Sequence, residues 1–173
     1  FRDGRDKVIR LCFTVEEIKT MVSDEMRDHP FWLPTCLAVY NPRRTAEALF
    51  LRWEWINWDA MSIKLVNSPE MIAAKIGLKS GETSWPLEPE LADILRPMAK
   101  PHGWIVANDR IRKYGSWSRA WEHKAKSKPT HTRAFSRYFE ACGITAGERT
   151  AYCLRHTGIT IRLAMGIADN MVA

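Results

Sequence analysis

Apolar residues recur three and four apart near the start of the chain, where Val15, Ile18, Met21 and Val22 line one face of an expected helix over residues 14–26. Thr14 and Glu17 open it as a capping box, each side chain placed to serve the other's backbone N–H. Asp28-His29-Pro30 interrupts the pattern. Residues 31–40 (FWLPTCLAVY) are then apolar on nearly every side, which predicts a helix buried in the core. Asn41-Pro42 marks a turn. A short helix is expected over residues 44–51, closed by the bulky cluster Trp53, Trp55, Ile56 and Trp58.

The periodicity then changes from helical to alternating. Residues 61–66 (MSIKLV) read as a strand ended by Asn67-Ser68-Pro69, and residues 71–79 and 82–87 flank Ser80-Gly81 as the two arms of a hairpin. Two or three short antiparallel strands are expected. Helical spacing resumes at residues 89–98, with Pro89 at the start and Leu91, Ile94 and Leu95 on one side. Basic amphipathic helices are expected over residues 108–124 and 130–142, the second stopped by Gly143. A further helix runs over residues 152–165 to Gly166, and a last one starts near Ala168. The pattern predicts an α+β fold, mostly helical, with a small antiparallel sheet. Residues 1–12 read as a linker and residues 13–173 as one domain. The chain opens on Phe1 and closes inside an expected helix, which reads as a segment of a longer protein.

Composition narrows the function classes. With 46% hydrophobic residues the chain can bury a core, so it is not a disordered segment. No apolar run approaches the roughly eighteen residues of a membrane span, and the charged opening FRDGRDKVIR is unlike a secretory leader. Cys12, Cys36, Cys142 and Cys153 form no C-x-x-C pair, and Cys153 with His156 has no second ligand pair. Reduced thiols in a cytoplasmic protein are expected, with no metal site. The net charge of +6 favours a polyanionic partner without proving one.

Two short motifs carry candidate chemistry. Arg43 and Arg44 follow the Asn-Pro turn, and Arg44 and Glu47 stand i, i+3, so the carboxylate can orient the guanidinium at a helix start. The same pair also fits a surface ion pair worth little. Tyr152 and Arg155 repeat the spacing, placing a phenol beside a guanidinium. A packing tyrosine next to a solvated arginine would look the same.

Taken together and in order, these motifs resemble the tyrosine recombinase (phage integrase) family. Arg44, Glu47, Leu51 and Trp53 match its first-box pattern T-G-x-R-x-x-E-x-x-x-L-x-W, with Asn41-Pro42 in place of Thr-Gly. Leu154, Arg155, His156 and Thr157 match its second box H-x-L-R-H-T, with Tyr152 where the family has histidine. The helix FTVEEIKTMV and the strand end Trp85-Pro86-Leu87 are also similar, so the resemblance spans about residues 13 to 173.

The resemblance implies a catalytic domain that cuts and rejoins double-stranded DNA through a 3′-phosphotyrosine link, with no cofactor, ATP or metal. Arg44 and Arg155 would clamp the scissile phosphate, with Glu47 in support. A hairpin lysine, Lys79 or alternatively Lys75, would protonate the leaving 5′ oxygen. Tyr152 would donate a hydrogen bond to a phosphate oxygen from the histidine's position, without an imidazole for acid–base work. No tyrosine follows Arg155, and no L-G-H third box is present, so the nucleophile is expected beyond Ala173. The implied assembly is a dimer or tetramer on DNA, associated with the nucleoid and not with a membrane. Between Arg110 and Arg133 the chain is dense in positive charge; Arg110, Arg112, Lys113, Arg119, Lys124 and Lys126 are candidate DNA contacts together with Arg43, or else a solvated face. A non-catalytic DNA-binding relative is the alternative, and a helical interaction domain with chance matches is a third.

Overall fold

The structure is a computed structural model that describes residues 11–41, 44–73, 76, 78, 81–107 and 130–166; the side chains of residues 45, 46 and 130–134 are not among what it describes. It is an α+β fold with seven described α-helices, three short 3-10 turns and one three-stranded antiparallel sheet. The helices are α1 (Val15–Val22), α2 (Trp32–Tyr40), α3 (Thr45–Ala48), α4 (Pro69–Ala73), α5 (Pro89–Leu95), α6 (Thr130–Ala141) and α7 (Ala151–Ala164). The strands are β1 (Ile56–Asn57), β2 (Ser62–Val66) and β3 (Glu82–Pro86).

The all-apolar stretch forms the central helix. Between Trp32 and Val39 only Leu33 escapes full burial, because α2 is packed on different sides by α1, α3, α5 and α7. Its buried threonine is satisfied internally, Thr35 Oγ1 donating to the Phe31 carbonyl at 2.7 Å. The α1 capping box forms as the spacing predicts: Glu17 N–H donates to Thr14 Oγ1 at 3.1 Å, and Thr14 N–H donates to Glu17 Oε2 at 2.8 Å. Arg149, just before α7, adds a 2.6 Å ion pair to the same carboxylate and lies over the Phe13 ring. The start of the domain is thereby locked to its C-terminal helix. Helix α6 closes the other side with Phe135, Tyr138 and Phe139, and the Phe13–Phe139 and Phe31–Phe135 rings sit 4.9 and 4.8 Å apart. Gly143, at φ 72°, ends it in the left-handed conformation that glycine adopts freely.

The sheet corrects two sequence expectations. Residues 71–79 were expected as a hairpin arm, but Pro69–Ala73 is a helix and β2 pairs directly with β3, Ile63 opposite Trp85 and Leu65 opposite Thr83. Ser68 and Pro69 are a helix start: Ser68 Oγ accepts the Met71 N–H at 3.2 Å, and the proline lacks the N–H that a first turn leaves unused. Asn67 then clasps the excursion shut, accepting the Leu78 N–H at 2.6 Å and donating to the Leu78 carbonyl at 3.1 Å. Likewise the expected helix over residues 44–51 is regular only through Thr45–Ala48, after which the chain turns to bring Arg52 and Trp104 into a β-bridge. The expected helix over 108–124 and the one near Ala168 fall outside the described residues. Among those described, no helix is long and apolar enough to cross a membrane.

Candidate functional site

Arg44 stands at the mouth of α3, four residues past the end of the buried central helix. Its backbone N–H donates to Glu47 Oε2 at 3.2 Å, while its guanidinium lies 3.4 Å from Glu47 Oε1. One carboxylate thus fixes both ends of the arginine. The exposures differ in a useful way: the Glu47 side chain is only 6% exposed, that of Arg44 38%. A buried carboxylate must be paired, so Glu47 stays on Arg44. A half-exposed guanidinium keeps donors in its five-donor fork for an anion arriving from solvent. The i, i+3 pairing read from sequence is present, and its carboxylate is too buried for an ordinary surface pair.

Arg155 lies on α7, beside the buried positions Ala151, Leu154, Thr157 and Gly158. It is half-buried, and its side chain makes no ion pair or hydrogen bond with other described residues. Tyr152, one turn earlier, is exposed, and its ring meets His156 edge-on at 4.7 Å and 86°. The phenol is therefore steered by His156, with its polar end left to solvent. Thr157 holds the entry of the chain, its Oγ1 accepting the Phe13 N–H at 2.9 Å and donating to the Cys153 carbonyl at 2.8 Å.

The two arginines come from elements that touch, since α3 packs on both α2 and α7. The local charge is positive: Arg44 is offset by Glu47, and Arg155 has no described counter-ion. Such a pair suits a phosphate or another oxyanion. Lys75, Lys79, Arg43, Arg110, Arg112, Lys113, Arg119, Lys124 and Lys126 lie outside the described residues. A 640 Å³ concavity on the sheet, lined by Trp55, Asn57, Trp58, Asp59 and Lys64 among others, shares no residue with this site.

Sequence reasoning missed Arg162. This side chain is 10% exposed, and Nε donates to Glu88 Oε1 at 3.1 Å. Nη1 donates to the carbonyls of Val39 and Gly158, each at 3.1 Å, and Nη2 donates to the carbonyl of Tyr40. A usable signal was available: Leu154, Gly158 and Arg162 follow at i, i+4 and i+8, which places an arginine on the core-facing stripe of its helix.

Comparison with known proteins adds no relative: no family model, no curated protein and no solved structure matches the chain.

Proposed function

We propose that the chain is the catalytic domain of a site-specific DNA recombinase of the tyrosine type. One observation carries this: a buried carboxylate holds the half-exposed Arg44 at a helix start that packs against the helix bearing the unpaired Arg155. In the proposed reaction both guanidiniums face the non-bridging oxygens of one phosphodiester. Negative charge on those oxygens grows as a nucleophile attacks, so donors fixed in advance stabilise the transition state more than the ground state. A tyrosine phenol, which the resemblance places after the second box, loses its proton to water and attacks phosphorus. The phosphorus–O5′ bond breaks, a 3′-phosphotyrosine link forms, and Lys79 (or Lys75) gives its proton to the departing 5′ oxygen. Tyr152 donates a hydrogen bond to a phosphate oxygen in place of a histidine. The basic stretch beginning at Arg110 follows the duplex backbone and positions it.

A second reading is a DNA-binding relative that grips the phosphate and does not cut. It is favoured by a tyrosine, Tyr152, at the position of the second-box histidine. Trapping separates the two. Intact protein is incubated with nicked duplexes of randomised sequence, from which the cut fragment diffuses away, and covalent protein–DNA adducts are counted. Adducts that disappear in Arg155→Ala are expected of the recombinase. If no adduct forms while Arg44→Ala and Arg155→Ala both weaken duplex binding, the non-catalytic reading holds. If neither substitution changes anything, both readings fail.

A further inference from the structure

We propose that Arg162 is a positioning residue that sets the distance between Arg44 and Arg155. This rests on the reading of those two arginines as a phosphate clamp. The last carbonyls of a helix have no partner within it. In α2 two of them, those of Val39 and Tyr40, are taken by a guanidinium that belongs to another helix. Arg162 also bonds its own helix at the Gly158 carbonyl and reaches Glu88 immediately before α5. A single planar group therefore joins α7, the end of α2 and the entry to α5.

The contact between these helices is intimate where Arg162 acts. A Cβ placed on Gly158 would lie 2.5 Å from the Val39 carbonyl oxygen, so α7 and α2 meet backbone to backbone. Arg162, one turn further on, adds a directional polar tie beside that close approach. Arg155 sits about two turns before Arg162 on the same helix. On the other side, Arg44 follows within four residues of the Tyr40 carbonyl that Arg162 holds. Beside the direct packing of α3 on α7, one connection from one clamp arginine to the other runs through the Arg162 fork.

Burial of an ion pair such as Arg162–Glu88 adds little stability over a well-packed apolar side chain of similar size. What the fork adds is direction. Lysine keeps the charge but is a point donor on a flexible stem, unable to satisfy a carboxylate and three carbonyls from one plane.

The test uses the intact protein and a DNA site recovered by trapping. Single-turnover cleavage, duplex affinity and melting temperature are measured for Arg162→Lys, Arg162→Met and Arg155→Ala. Misplacing a clamp group by about an ångström costs up to roughly a hundredfold in rate. Arg162→Lys is expected to slow cleavage at least about tenfold while duplex affinity stays near that of the parent, with a fall in melting temperature because buried carbonyls lose their donors. That loss of rate should shrink when the scissile linkage is a neutral methylphosphonate, which carries no charge for a clamp to stabilise. A merely structural role would slow both linkages equally. Normal cleavage by Arg162→Lys, or by a folded Arg162→Met, overturns the proposal while Arg155→Ala remains inactive. If Arg155→Ala also cleaves normally, the clamp reading itself falls. Should no variant or parent cleave, the coupling between Arg44→Ala and Arg155→Ala in duplex affinity decides: it is expected to vanish in the Arg162→Lys background, and its persistence there overturns the proposal.

Discussion

Replacing Glu47 separates holding an arginine from merely neighbouring it. In Glu47→Ala the Arg44 guanidinium loses its partner at 3.4 Å and its backbone N–H loses the acceptor at 3.2 Å. A hydrogen bond to a charged group contributes about 1.5–3 kcal/mol. The guanidinium side is 38% exposed, so solvent screens its share to under about 1 kcal/mol. Removing a buried carboxylate also relieves its desolvation, which works in the opposite direction. The net expectation is a loss of roughly 1–2 kcal/mol. For a domain of this size each kcal/mol moves the melting temperature by about 2–4 °C. Glu47→Gln keeps an oxygen for the backbone N–H and should lose about half as much. The assays are thermal unfolding and duplex binding. Both variants free Arg44 from a compensating charge, so affinity for DNA should hold or rise while cleavage slows, because the guanidinium is no longer aimed. A Glu47→Ala variant with unchanged melting temperature and unchanged cleavage would refute the idea that this carboxylate holds Arg44.

Two further outcomes follow from the packing. Glu17 has its pKa lowered below the ordinary carboxylate value by the Arg149 hydrogen bond, so its contribution to stability is complete above the unfolded pKa and is lost as pH falls through the folded one. Glu17→Gln should therefore flatten the acid limb of a urea-unfolding series from neutral pH down to pH 3, and an unaltered limb would count against the Arg149 lock. Gly158→Ala forces a carbon to within 2.5 Å of a backbone oxygen and should destabilise by about 1–3 kcal/mol in denaturant unfolding; a neutral result would show that α2 and α7 are not in backbone contact.

What the sequence revealed was local. The Thr14–Glu17 box and the Arg44–Glu47 pair depend on residues three apart, whose geometry a single turn of helix dictates. The buried α2 was legible because no face of it could tolerate water. The stretch over 71–79 was misread for a non-local reason: Ser80-Gly81 is a good tight turn, but β3 gains more by pairing with β2, where Ile63 and Leu65 are wholly buried. Ser68-Pro69 reads as a turn after the strand in the sequence, and in the structure it is a helix start. The place of Arg162 on the core-facing stripe is legible in the sequence, but its partners are not. Its partners, Val39, Tyr40 and Glu88, are far away in the chain, and no spacing rule connects a helix-end carbonyl to a side chain on another helix.

The central claim is that Arg44 and Arg155 grip one phosphate. A double-mutant cycle on duplex affinity, repeated across salt concentrations, tests it most directly. Each of Arg44→Ala and Arg155→Ala should weaken binding and lower the salt slope by roughly 1. Because both would serve the same phosphate, the double variant should lose less than the two single losses together, with a coupling of about 0.5–3 kcal/mol. Strictly additive losses, or a salt slope that neither substitution changes, would contradict the claim.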